Sequence, residues 1–215
     1  MKNYKKYIFD LDYTLLIPDW SKEDDFLRKS IPLEEQEEFF GKKQLILNKY
    51  ELEFPKYDFK TLSNYFKSYG FSVSEEVIEG WMIHNGETIK DQLVDGVIEL
   101  FDYLKANNKD IVILTSWFSG TQIPRLKRNG LYEYIDQIIA GEDAMKPDLE
   151  SFKLAIEDTN KDDCIMIGDS IKSDKIGAEK AGIDYYIVDA EHSIRDLLQV
   201  IISDKDNTIH LVKKK

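Results

Sequence analysis

Two short acidic clusters, about a domain's length apart, hold the residue types best suited to chemistry: Asp10 and Asp12 in FDLDYTL, then Asp169 and Asp174 in MIGDSIKSD. Each cluster follows an apolar run. Tyr7, Ile8 and Phe9 read as a buried strand, as do Cys164, Ile165, Met166 and Ile167, so both clusters should sit where strands emerge from a sheet. In open α/β sheets that edge is where ligands bind. Carboxylates gathered there repel one another unless a cation compensates, and hard oxygen ligands at that density suit Mg²⁺. The expectation is a magnesium site.

Apolar runs predict five strands, at 4–9, 110–114, 137–140, 164–168 and 185–188, and segments of helical period separate the last four. Val97, Leu100, Phe101 and Leu104 fall at i, i+3, i+4 and i+7; Leu149, Phe152, Ala155 and Ile156 mark a second face. This alternation predicts a mostly parallel sheet. Gly130 and Gly182 stand where helix C-termini need a left-handed residue, and Asn107 with Asn108 can do the same. The alternation breaks down over 17–94. No strand is expected there, but helices are, at 21–30, 32–52, 58–69 and 74–89, with stripes such as Leu62, Tyr65, Phe66 and Tyr69. A parallel crossover needs only one helix, so a block of four reads as an insertion forming a small bundle above the sheet edge. The expected division is a catalytic core of 1–16 and 95–215 with a helical insert of 17–94.

Composition narrows the function classes. A hydrophobic content of 42% with 12% aromatic residues is that of a globular protein. A net charge of −12 and a pI near 4.8 argue against nucleic acid or an anionic membrane as partner, so a phosphate-bearing ligand must be small and locally neutralised. Cys164 is the only cysteine and lies in an apolar strand, which excludes an internal disulfide and predicts a buried thiol. The N-terminal MKNYKKYIFD lacks the apolar stretch of a signal peptide, and nothing later approaches a membrane span, so a cytoplasmic location is expected. His84, His192 and His210 are too scattered for a metal triad and are expected at the surface; the closing KKK reads as a solvated tail. Oligomeric state is left open.

Four motifs in order make a family resemblance usable: D10-L-D12-Y-T14, then T115-S116 ending the second predicted strand, then K146-P147, then G168-D169-S170-I-K-S-D174. Taken singly each has an ordinary reading, as turn aspartates, a strand-end hydroxyl, or an exposed lysine before a helix-starting proline. In this order at strand ends, the chain resembles the haloacid dehalogenase-like hydrolases, in the group with a helical cap inserted after the first strand. The resemblance implies a Rossmann-like doubly wound parallel sheet of strand order 5-4-1-2-3. It implies a phosphatase acting on a small phosphate ester, with Asp10 as the nucleophile that becomes an aspartyl-phosphate and Asp12 as general acid and base. It further implies Mg²⁺ held by the carboxylates of Asp10 and Asp169 and the backbone carbonyl of Asp12, with Asp174 orienting from behind. Thr115, Ser116 and Lys146 would bind the phosphoryl oxygens.

Tyr13 stands where the family pattern usually has glycine, and with Trp117 it puts a bulky side chain near the expected cleft. Trp81 is expected inside the cap, and Lys42, His84 and Asn85 are taken as exposed cap positions able to set specificity. Three rivals remain. A phosphomutase shares every core motif, a 2-haloacid dehalogenase would need neither Asp12 nor metal, and a non-enzymatic phospho-acceptor module orders its acids differently and lacks the helical insertion.

Overall fold

The computed structural model describes residues 2–203; His210 and the C-terminal lysines lie outside them. In chain order the elements are β1 (Lys6–Phe9), β2 (Leu16–Asp19), α1 (Asp25–Ser30), α2 (Leu33–Glu53), α3 (Phe59–Ser68), α4 (Glu75–Thr88), β3 (Lys90–Leu93), α5 (Val97–Ala106), β4 (Asp110–Leu114), α6 (Ser119–Arg128), β5 (Gln137–Ile139), α7 (Leu149–Ile156), β6 (Cys164–Gly168), α8 (Ile176–Ala181), β7 (Asp184–Ile187) and α9 (Ile194–Ser203).

Strand β1 is buried along its whole length because it lies at the centre of a five-stranded sheet, paired parallel to β4 on one side and β6 on the other. The sheet order is β5-β4-β1-β6-β7, all parallel. Two extra strands shift this numbering from the expected 5-4-1-2-3; numbering the five sheet strands among themselves gives that same order, read from the β7 edge. Successive side chains on a strand point to opposite faces. Tyr7, Phe9, Ile111, Ile113, Ile165 and Ile167 therefore pack with Leu100, Phe101 and Leu197 from α5 and α9. Ile8, Val112, Leu114, Cys164 and Met166 pack with Phe152, Ala155, Ala178 and Ala181 from α7 and α8. The sheet is thus covered on both faces, and the Cys164 thiol is buried and free.

Helices α1 to α4 build a separate aromatic-rich cluster, with Phe39, Tyr50, Phe66, Trp81 and Met82 at its centre. Their starts follow capping chemistry. Asp58 accepts from Thr61 N at 2.8 Å to begin α3, and Ser74 accepts from Val77 N at 3.3 Å to begin α4. The cluster reaches the main sheet through Phe118 and Met145.

Two sequence expectations need correction here. Residues 16–19 and 90–93 do form strands, β2 and β3, paired antiparallel from Leu16↔Leu93 to Asp19↔Lys90. Each has only four residues, LIPD and KDQL, at least half of them charged, polar or proline, which is too little to announce a strand. They exist because the chain leaves and re-enters the helical block side by side, so each supplies the other's ladder. The single helix expected over 21–30 is instead a 3₁₀ turn at Trp20–Lys22, begun by Asp19 accepting from Ser21 N at 3.0 Å, followed by α1. Among the described residues no helix is long and apolar enough to cross a membrane.

Candidate active site

Four side chains, from the ends of β1 and β6, the turn that follows β6 and one loop, meet beyond the C-terminal edge of the sheet. Lys146 Nζ lies 2.5 Å from Asp10 Oδ1 and 2.6 Å from Asp174 Oδ1, and all three side chains are largely buried. The carboxylate oxygens of Asp10, Asp169 and Asp174 lie within 4.8 Å of one another. Asp10 also accepts from the Thr14 hydroxyl at 3.3 Å. Three carboxylates against one ammonium leave two negative charges, and a hard dication with oxygen ligands matches that deficit in number and kind. The residues present therefore fit a Mg²⁺ ion held by Asp10, Asp169 and Asp174.

Local backbone geometry sets Asp174. After β6 the chain makes one π-helical turn, Ile171–Lys175, started by Ser170, and this turns Asp174 back beneath the sheet edge. There its Oδ2 accepts from Ser170 N at 3.0 Å and its Oδ1 from the Ser173 hydroxyl at 3.4 Å. Gly168 makes room for it: a Cβ at that position would stand 2.2 Å from Asp174 Oδ2. Gly168→Ala must push the Asp174 carboxylate off Lys146. The expected result is a metal affinity weakened by about 10–100-fold with the fold retained, read by titrating Mg²⁺ against thermal stability. Unchanged affinity would remove Asp174 from the site.

Burial pushes the Asp10 carboxyl up to about 7, with Asp174 adding to the shift and Lys146 opposing it. Burial and Asp174 also raise Asp169. Burial disfavours the Lys146 ammonium, but Asp10 and Asp174 outweigh it and hold the group charged. A carboxylic acid with a raised folded pKa stabilises the fold at low pH, and that contribution fades as pH rises from the ordinary carboxylate range toward about 7. A bound dication must displace that proton, so its stabilisation should grow over the same window. The Tm gain on adding Mg²⁺ is expected to be larger at pH 8 than at pH 5; an equal gain at both would contradict this.

Thr115, at the end of β4, receives hydrogen bonds from Gln122 Nε2 at 2.9 Å and from Trp117 N at 3.4 Å. Both contacts end on its oxygen, which leaves its own proton free to donate. The Ser116 hydroxyl accepts from Lys146 N at 3.1 Å, tying the two loops together. Among the described residues the Ser116 backbone N–H has no protein acceptor. With the Lys146 ammonium these groups are donors of the kind that can receive an anion.

The Asp12 carboxylate lies outside the acidic cluster. It turns to α6, where Arg125 Nη2 donates to Oδ1 at 2.6 Å and Gln122 Nε2 to Oδ2 at 2.9 Å. Neither partner was expected from the sequence, and nor was Asp91 on β3, which Arg125 also grips from Nε at 3.1 Å and Nη2 at 2.6 Å. Gln122 and Arg125 stand at i and i+3 on a buried helical face, and a polar pair there offers no apolar stripe to detect. Glu142 fixes the start of α6 by accepting from both the N–H and the hydroxyl of Ser119.

Other expected residues fall in different places. Tyr13 takes the left-handed conformation, φ 63°, which explains why glycine suits that position; its side chain is 52% exposed and does not fill the turn. Trp117 is half-buried and packs edge-on against Tyr57 and Trp81. Trp81 is fully buried in the helical cluster. Asn85 is buried too, facing Trp81 and Glu23, and His84 is half-buried against Phe26, so of the three cap positions taken as exposed only Lys42 is. His192 is exposed and pairs with Asp189 at 2.9 Å.

Comparison with known proteins gives the family. Pyrimidine 5'-nucleotidase YjjG of Escherichia coli (strain K12) is 33% identical over 102 residues, 45% of this chain and 45% of that protein, so that match spans less than half of either. Pyrimidine 5'-nucleotidase PynA of Streptococcus pneumoniae is 28% identical over 202 residues, 84% of this chain and 82% of that protein. The solved structure of the HAD-hydrolase YfnB of Bacillus subtilis bound to magnesium has the same fold, with a TM-score of 0.60 at 24% identity over 93% of this chain and 99% of that one. The sequence model of haloacid dehalogenase-like hydrolases matches residues 24–188, well over half of the chain. The chain belongs to the haloacid dehalogenase-like hydrolase family.

Proposed function

We propose that the chain is a Mg²⁺-dependent phosphomonoesterase that works through an aspartyl-phosphate on Asp10. The observation that carries this reading is the cluster of Asp10, Asp169, Asp174 and Lys146, whose net charge of two negatives a dication would offset, with Lys146, the Thr115 hydroxyl and the Ser116 N–H as donors suited to a phosphoryl group. A bound Mg²⁺ would offset the charge of the acids and of the incoming phosphoryl oxygens. The protein's own groups do the rest. The Asp10 carboxylate attacks phosphorus in line with the leaving oxygen, while Thr115, the Ser116 N–H and Lys146 receive the equatorial oxygens. Asp12 gives a proton to the departing alcohol, then takes one from the water that attacks the aspartyl-phosphate, so it ends each cycle protonated as it began.

Residues 17–94 act in this reading as a cap that closes over the sheet edge and excludes water. Two relatives are pyrimidine 5'-nucleotidases, one of them similar along most of the chain, which supports a nucleoside 5'-monophosphate as substrate. Phosphate release should be screened over pyrimidine and purine 5'-monophosphates and sugar phosphates, with Mg²⁺ and with EDTA. Turnover of pyrimidine monophosphates that EDTA abolishes is the expected result. Full activity in EDTA would overturn the metal assignment, and a preference for sugar phosphates would overturn the substrate class.

A further inference from the structure

The Arg125 guanidinium is fully buried and joins three parts of the chain that are remote in sequence. It donates to Asp12 Oδ1 at 2.6 Å, to Asp91 Oδ1 from Nε at 3.1 Å and Nη2 at 2.6 Å, and to Gln122 Oε1 at 2.5 Å, with the Trp20 ring 5.4 Å away. Burial works against its charge, and its bonds to Asp91 and Asp12 more than offset that. Asp91 is buried with it and is also approached by Arg128 at 3.5 Å and Asn129 at 3.3 Å. Gln122 passes the connection onward, since its Nε2 reaches both Asp12 and Thr115 at 2.9 Å.

A buried cation of this kind is more than a structural weld when one of its two acids has a chemical task. Asp91 sits on β3, half of the two-stranded stalk through which the helical block is attached, and Asp12 sits one turn beyond β1. In this arrangement both oxygens of Asp12 accept hydrogen bonds, so the carboxylate has one orientation and not a range of them. A group that must deliver a proton to a leaving oxygen and then withdraw one from water depends on that placement to within a fraction of an ångström.

We propose that Arg125 is the positioning residue of Asp12, anchored by Asp91 on the stalk, so that proton transfer to and from Asp12 depends on the seat of the helical block. This rests on the phosphomonoesterase reading above. Loss of the guanidinium should leave attack by Asp10 intact and impair only the steps that need Asp12. An ester with a good leaving group would then still phosphorylate the enzyme, and the phosphoenzyme would accumulate.

The test uses Arg125→Lys, which keeps the charge without the fork, and the double variant Arg125→Met with Asp91→Asn, which removes both fully buried charges and leaves only the partly exposed Asp12 without its cation. Each is compared with the native protein on an aryl phosphate and an alkyl phosphate with Mg²⁺. The expected result is a burst of phenolate at close to the native first-turnover rate, later turnover slowed about tenfold or more with kcat/KM on the aryl ester little changed, and an equal or larger loss of kcat on the alkyl ester. The ratio of burst to steady rate is counted per active molecule, so partial misfolding does not produce it. Equal losses on both esters with no burst, in variants that keep the native Mg²⁺-induced rise in Tm, would overturn the proposal. Retained activity in Asp10→Asn would instead overturn the underlying reading, and the proposal with it.

Discussion

Asp10→Asn is expected to lower kcat by at least about a hundredfold, because the amide keeps the shape of the side chain and removes the proposed nucleophile, which acid catalysis and positioning cannot replace. The same change should leave the metal-free protein no less stable. The native Asp10 carboxyl is pushed up to about 7 mainly by burial, so its ionisation opposes folding at neutral pH, and the neutral amide does not carry that cost. Stability on adding Mg²⁺ should behave oppositely: the native protein gains and the variant gains little, since one of the three clustered carboxylates is gone. Activity and metal-free stability thus move in different directions, which a general unfolding defect does not produce. A variant that kept more than about a hundredth of native kcat would contradict the covalent mechanism.

Asp12→Ala has the second largest expected effect, and the effect depends on the substrate. Protonation matters most when the leaving oxygen is a poor one, so a sugar or alkyl phosphate should lose about 100-fold or more in kcat. An aryl phosphate should give a burst followed by slow turnover, because its phenolate departs unaided while water is no longer activated. The fold should survive, since Arg125 keeps its bonds to Asp91 and Gln122. Equal losses on both esters without a burst would reduce Asp12 to a turn residue.

What the sequence made legible follows from how each feature is encoded. The strands β1, β4 and β6 announce themselves because central parallel strands are apolar on both faces, and Asp10 and Asp169 follow directly at the ends of β1 and β6, with Asp174 in the next turn. The helices of the insert are legible from their stripes, such as Leu62, Tyr65 and Phe66 along α3. The stalk is not, because β2 and β3 hold together only through each other and neither has a pattern of its own. Arg125 and Asp91 stayed hidden for a related reason. They are 34 residues apart, and a charged residue reads as solvent-facing until the structure shows its buried partner. Asn85 errs in the same direction, an amide taken as exposed that the fold buries against Trp81. Tyr13 was visible as an odd residue in the motif, but only its φ of 63° shows that the oddity lies in the backbone.

The central claim is that Asp10 carries the phosphoryl group between two chemical steps. Its most direct test is to mix the Asp12→Ala protein with an aryl phosphate and Mg²⁺, quench in acid during the slow phase, and locate the added phosphoryl group by mass spectrometry of the digested chain. The account predicts a phosphoryl group on the peptide containing Asp10, in amount matching the phenolate burst, and none in the Asp10→Asn, Asp12→Ala double variant. A burst with no phosphoprotein, or phosphate found on Thr115 or Ser116 in place of Asp10, would contradict it.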